Sequence, residues 1–133
     1  MAKYKKKLDA DIRCPLEYGL TIFGGKSGEY PQKLYKELMN SQTVLTVWDD
    51  ARLVGLIRVL DDSEMLAQIH YVLVHPEYQG RGIAGRMVEY IKEKYKNFMY
   101  LELMPEDKNN VPFYEKHGFH VMENGAAMQI CNI

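Results

Sequence analysis

The stretch with the most chemistry in it reads Val72-Leu73-Val74-His75-Pro76-Glu77-Tyr78-Gln79-Gly80-Arg81-Gly82-Ile83-Ala84. An apolar β-type run stops at a proline. A short glycine-rich turn follows and leads straight into a helix-patterned segment. A strand, a loop and a helix start in series make an anion cradle. The first turn of a helix offers unpaired N–H groups and the positive end of the macrodipole. Gly80 and Gly82 let a ligand approach the backbone with no Cβ in the way. The chemistry implied is phosphate binding.

Spacing decides among phosphate loops. Gly80, Gly82 and Gly85 spell G-x-G-x-x-G, but no early βαβ unit surrounds them and no acidic residue about 20 positions on ends a second strand. The context argues against a dinucleotide site. Gly25-Lys26-Ser27 lacks the glycine a P-loop needs five positions earlier, where Leu20 stands. His70 is the titratable residue of most interest, because an unperturbed imidazole near pKa 6.5 suits a base at neutral pH. Gln68 shares its strand face by alternation and would orient a water. A satisfied or exposed strand histidine is the plainer alternative, and the residues leave both open. Glu102 is a second candidate base and reads more readily as solvated. His75 closes the strand before Pro76, and His117 and His120 read as surface residues. No Cys/His cluster has metal spacing, so no metal is expected.

The elements that must position these residues come next. The chain has 133 residues and a net charge of −1, which suits a single domain over 1–133 with its own core and no global field toward nucleic acid or anionic membrane. Lys3, Lys5, Lys6 and Lys7 form the one basic cluster, read as a solvated terminal strand, with an anion-holding role as the alternative. Cys14 and Cys131 stand near opposite ends and read as small apolar packers. With no signal peptide or membrane span, a reduced cytoplasmic setting is expected. Runs at 43–48 and 52–60 make a hairpin across Asp49-Asp50-Ala51, and 65–74 adds a third antiparallel strand. Ile83, Met87, Ile91 and Tyr95 recur every four residues beside Ala84 and Val88, the stripe of a helix packed on a sheet. Residues 98–103 make a further strand, closed off by Pro105. Asn110 is placed to N-cap a short helix over 111–117, with Gly118 as its left-handed stop. Residues 119–122 and 127–131 are expected to pair across Glu123-Asn124-Gly125. Residues 31–39 form a helix with Leu34 and Leu38 on one face. The order implies an α+β fold, a mixed and mostly antiparallel sheet.

Gln79-x-x-Gly82-x-Ala84, set behind Val72–His75-Pro76, resembles the acetyl-CoA motif of the GNAT (Gcn5-related) N-acetyltransferases. A second motif follows about 30 residues later. Asn110-Val111-Pro112-Phe113-Tyr114-Glu115-Lys116-His117-Gly118-Phe119 resembles the short helix of that family ending in Tyr-x-x-x-Gly-Phe. The ordered pair is more specific than either motif, and the resemblance covers roughly Tyr30 to Ile133. It implies helices on both faces of the sheet, in three α/β/α layers. It implies acetyl-CoA as co-substrate, held by main-chain bonds along Val72, Leu73 and Val74, by loop amides from Gln79, Gly80, Arg81, Gly82, Ile83 and Ala84, and by Asn110 and Phe113. It implies transfer to a primary amine, more readily a small molecule than a protein, by direct attack in a ternary complex. Tyr114 is by position the acid that protonates the departing CoA thiolate, and some family members that acetylate small amines carry a histidine where His70 stands. Many relatives pair as dimers, and an apolar last strand over 126–133 suits that. Neither nucleic acid nor membrane is an expected partner.

The front departs from the family's pattern. Residues 1–30 are atypical, and Cys14 to Lys26 resembles the opening of HxlR-type winged-helix regulators. The tryptophan and helix-turn-helix pattern that would follow are absent, and the likeness is treated as chance. The alternative function it leaves is a non-catalytic CoA-binding or DNA-binding regulatory protein that keeps the fold.

Overall fold

The computed structural model describes residues 3–6, as backbone, and 29–132. Residues 7–28 of the atypical front segment, Cys14 and Lys7 among them, lie outside the described residues, and of Lys3, Lys5 and Lys6 only the backbone is described. Five strands form one sheet in chain order: β1 (Lys3–Lys6), β2 (Thr43–Asp49), β3 (Arg52–Asp61), β4 (Leu66–Val74) and β5 (Tyr100–Leu103). Pairing is antiparallel from β1 to β4, and parallel between β4 and β5. Helix α1 (Pro31–Met39) precedes β2, α2 (Ile83–Lys94) lies between β4 and β5, and α3 (Val111–Lys116) follows β5.

Alternation along β2 divides the core in two. Leu45 and Val47 join Ile57, Val59, Ala67 and Ile69 under the stripe Ile83, Met87, Val88 and Ile91 of α2. Val44 and Trp48 join Leu53 and Leu56 under Leu34 and Leu38 of α1. Helices thus cover both faces of a mixed sheet, as expected, and each fully buried aliphatic side chain contributes about 1.5–3 kcal/mol. Tyr95 closes the end of the α2 stripe. Its hydroxyl donates to Asp61 at 2.7 Å and lies 2.7 Å from the Thr43 hydroxyl. Burial, chiefly, holds that phenol up at about 12.

Gly55 marks where α2 presses closest on the sheet. A Cβ there would stand 3.0 Å from Ile83 Cγ2 and 3.1 Å from Val47 Cβ. Gly55→Ala is expected to lower stability by about 1–3 kcal/mol through overpacking. Denaturant midpoints at unchanged m-value would show it.

Two local expectations are corrected. Asn110 does not N-cap α3: it sits in the right-handed region with no side-chain cap bond. Asp107 caps instead, accepting from the Asn109 amide at 2.9 Å, and a 3-10 turn over Lys108–Asn110 feeds directly into α3. With Asn110 already helical, its short side chain is turned away from the amides it would have capped. The final hairpin is also not formed, since no strand is assigned from 119 to 132. The turn there closes between Gly125 N–H and Met122 C=O at 3.0 Å. It therefore centres on Glu123-Asn124, one residue before Asn-Gly, and neither central residue has positive φ. A turn without positive φ splays its arms rather than twisting them together. Met128 and Ile130 are left 92% and 87% exposed.

Candidate active site

β4 changes character halfway along. Its first half pairs with β5 from Leu66↔Tyr100 to Ile69↔Leu103, after which β5 ends. From His70 to Val74 the strand keeps β3 on one side only. Main-chain groups on the other side are open for a ligand that binds as an added strand would. The register with β3 also slips: Val72 pairs with Ile57, His70 with Arg58, and Tyr71 is left over. Tyr71 takes φ 68, a costly conformation for a bulky side chain, worth about 1–3 kcal/mol. Its hydroxyl donates to Glu37 Oε1 at 2.5 Å, and the Arg58 guanidinium lies 5.6 Å from its ring centroid. The bulge sets two consecutive rings side by side, with His70 and Tyr71 centroids 4.2 Å apart.

Arg58 organises this face of the sheet although it is only 8% exposed. Its Nε donates to Ser41 Oγ at 2.6 Å, and its Nη1 lies 3.8 Å from Glu37 and also donates to His70 Nδ1. An arginine has no lone pair to offer, so His70 Nδ1 is the acceptor and Nε2 carries the proton. Burial of the ring, then the Arg58 charge, lower the His70 pKa below the usual 6.5. The imidazole is therefore neutral at pH 7.

The glycine loop begins at His75, buried where its amide donates to Val54 C=O at 2.8 Å. Its Nδ1 accepts from the Glu77 amide at 3.1 Å and starts a 3-10 turn over Pro76–Tyr78. Gln79 reaches back to Val74 C=O at 3.3 Å. Gly80 and Gly82 take φ 79 and 80, and a Cβ on either would meet nothing within 4 Å. The space above them is open, so conformation and access, not packing, call for glycine. Gly82 starts α2 with no side-chain cap and no acidic residue in the first turn. The 12-residue helix therefore starts with bare amides, as an anion-binding start would. Arg81 leans away from that concavity, its guanidinium 4.6 Å from the Tyr78 ring centroid and donating to Glu77 C=O at 3.2 Å.

Tyr114 is fixed by the way α3 ends. Gly118, at φ 92, donates to Glu115 C=O at 3.1 Å, and Phe119 donates to Tyr114 C=O at 3.1 Å. This paired closure is the Schellman motif. It stacks Phe119 edge-on at 6.0 Å against the Tyr114 ring, with Phe113 at 5.0 Å on another side. All three rings pack against the core under α2. Burial raises the Tyr114 pKa above 10, and among the described residues nothing bonds its hydroxyl.

The expected residues thus fall into three groups. Val72–Val74 and Gln79–Ala84 form one continuous run from the open edge of β4 to the start of α2, Phe113 and Tyr114 stand on the helix packed beside α2, and His70 lies at the bulge on the α1 face. Asn110 is exposed; its amide donates to Asp107 C=O at 3.0 Å, and its side chain has no hydrogen-bond partner among the described residues. Glu102 is half-buried on β5, opposite Gln68 in register. His117 is half-buried rather than freely solvated: its side chain is 21% exposed, its Nδ1 lies 2.5 Å from Glu89 Oε2, and a Cβ on Gly85 would stand 3.2 Å from its ring. It ties α3 to α2. Sequence reasoning missed this tie and the bulge at Tyr71, for which no residue pattern exists.

Comparison with known proteins bears on the same residues. The profile described as acetyltransferase (GNAT) family matches residues 16–119. An uncharacterized N-acetyltransferase of Methanocaldococcus jannaschii is 32% identical over 66 residues, 47% of this chain and 29% of that protein. A ycf52-like uncharacterized N-acetyltransferase of Prochlorococcus marinus is 27% identical over 99 residues, 71% of this chain. The chain spans only 29% and 55% of the length of these two relatives. A probable acetyltransferase of unknown function from meticillin-resistant Staphylococcus aureus superposes at TM-score 0.82 and 26% identity, covering 99% of this chain and 100% of its own.

Proposed function

This chain belongs to the acetyltransferase (GNAT) family, and from that premise we propose that it moves the acetyl group of acetyl-CoA to a primary amine, a small molecule rather than a protein. The observation that carries the reading is the continuous path from the open edge of β4 to the uncapped start of α2. The residues suit acetyl-CoA. The main-chain groups along Val72–Val74 that point away from β3 would hold the pantetheine arm, with Gln79 giving up Val74 C=O where the arm needs it, and the amides from Gln79 to Ala84 would hold the pyrophosphate. The open space over Gly80 and Gly82 admits the bulk of the phosphates. Asn110, whose side chain has no hydrogen-bond partner among the described residues, is assigned to the arm together with Phe113.

Acetyl-CoA supplies an activated thioester, and the chain's own groups do the rest. A main-chain N–H on the open stretch of β4 polarises the thioester carbonyl in the manner of an oxyanion hole. His70 is assigned to the proton of the amine, whose protonation at pH 7 otherwise costs about 4 kcal/mol of barrier; because Nε2 already carries a proton, the role requires Nδ1 to exchange its bond from Arg58 for one from the amine or a bridging water. Tyr114 gives its proton to the leaving thiolate. Attack is direct, with both substrates bound. The exposed apolar arm around Val121, Met122, Met128 and Ile130 supports a homodimer, and a cytoplasmic setting completes the reading. No described helix is long and apolar enough to cross a membrane. No group of metal-ligating side chains gathers among the described residues.

Titration with acetyl-CoA against thermal stability, then CoA release over a panel of amines, tests the reading. A hundredfold excess over Kd stabilises the protein by about 2.7 kcal/mol. Absence of any shift overturns it. Binding without turnover on any amine favours a CoA-binding regulator.

The pH profile tests His70. A base must be unprotonated, and the His70 pKa is lowered, so kcat/KM is expected to hold down to below pH 6.5 and fall on the acid side of that point. His70→Ala is expected to remove this limb and to cost about 10²-fold in rate. A limb that survives the substitution assigns the proton transfer elsewhere.

A further inference from the structure

The glycine loop is gripped from outside the site. Asp49 and Arg52 flank the turn between β2 and β3 and lie on neither the loop nor the open edge of β4. The Tyr78 hydroxyl donates to the Asp49 carboxylate. Arg52 Nη1 pairs with Glu77 Oε2 at 2.8 Å, and its Nη2 touches His75 Nε2 at 3.2 Å. The Arg52 guanidinium also faces the Tyr78 ring at 5.6 Å, while Arg81 stacks on that ring at 4.6 Å. One hairpin turn thus reaches His75, Glu77 and Tyr78 together, and through the Tyr78 ring it holds Arg81. Among the described residues, two carboxylates and two guanidiniums meet here.

The loop needs such a grip. Glu77, Gln79, Gly80, Arg81 and Gly82 are exposed, and the two glycines carry the least conformational restraint of any residues. Ordering a free backbone residue costs about 1–2 kcal/mol, a cost that falls on ligand binding unless the loop is held beforehand. We propose that the Asp49–Tyr78 and Arg52–Glu77 contacts form a clasp that pre-organises the Gln79–Ala84 amides for the phosphate-bearing half of acetyl-CoA. Asp49, Arg52 and Tyr78 are positioning residues that set donor affinity without touching the donor. The proposal rests on the acetyl-CoA reading above.

Two donors separate a clasp from a general structural role. S-acetylpantetheine has the thioester and the arm but no phosphate, so it does not use the loop. Tyr78→Phe keeps the ring and its guanidinium stacking and deletes only the bond to Asp49. It is expected to lower kcat/KM for acetyl-CoA by about 5–20-fold, through KM, and to leave S-acetylpantetheine within about twofold. Arg52→Gln tests the other half of the clasp with the same split. Equal losses on the two donors, or an unchanged acetyl-CoA KM in both Tyr78→Phe and Arg52→Gln, would overturn the clasp. Wild-type protein that uses both donors equally well would instead overturn the acetyl-CoA reading of the loop itself, and the clasp with it.

Discussion

Tyr114→Phe is expected to lower kcat by about 10²–10³-fold while acetyl-CoA affinity stays within about threefold of wild type. The substitution deletes one hydroxyl and keeps the ring. Contacts with Phe113 and Phe119 survive, as does the Gly118 closure that fixes α3, so the fold and the donor path should not change. What is lost is a proton held ready. Burial keeps the phenol above its ordinary pKa of 10 and hence protonated across the working range. The departing CoA thiolate has the basicity of an ordinary thiol near 8.5, so the transfer is uphill by at least about 2 kcal/mol. That is affordable beside leaving a bare thiolate in a half-buried site. Calorimetric titration with acetyl-CoA and a thiol-release assay at saturating amine separate the two quantities. An unchanged kcat would remove Tyr114 from the acid role, whereas equal losses in kcat and affinity would point to a packing role.

Gly82→Asp is expected to separate stability from function. Gly82 begins α2 at φ 80, in the left-handed region that Asp tolerates better than most side chains. A carboxylate at a helix start gains about 0.3–1 kcal/mol from the macrodipole, and the open space there accepts its Cβ. The melting temperature of the free protein should therefore stay within a few degrees of wild type. Acetyl-CoA affinity should fall by more than about 10²-fold, because the new charge occupies the amides assigned to the pyrophosphate and repels it. Gly82→Asn is the neutral control. It carries the same backbone cost with less repulsion, and should bind with intermediate affinity. If Gly82→Asp binds acetyl-CoA normally, the start of α2 is not the phosphate site. If it unfolds, the glycine serves the fold rather than the ligand.

The parts of the site that were legible in the sequence are those written in contiguous residues. Gln79 to Ala84 reads as an anion loop because glycine spacing, the preceding β-run and the following helical stripe all act over a dozen positions. Gly118 reads as the helix stop for the same reason, and its φ of 92 agrees. The misreadings arose where a neighbour competed. Asn110 has the right type for a cap, but Asp107 caps the preceding 3-10 turn first. Asn-Gly at 124–125 is a strong turn signal, yet the turn closes one residue earlier and its arms do not pair. His117 looked like a solvated residue until α3 packed against α2 and brought Glu89 and the bare backbone of Gly85 beneath its ring.

Local chemistry in the sequence by itself determined the order of elements from α1 to α3, the stripe that α2 buries and the bare, glycine-led start of that helix. These depend on φ preferences, on periodicity and on the absence of side chains at two glycines, all short-range properties of the chain. Tertiary structure alone decided three other features: that β5 stops at Leu103 and leaves half of β4 open, that a bulge turns His70 and Tyr71 to the same face, and that Asp49 and Arg52 reach across to hold Glu77 and Tyr78. Each depends on strand register and on contacts between residues 12 to 34 positions apart. A one-residue slip between β3 and β4 changes which side chains meet without altering any local preference.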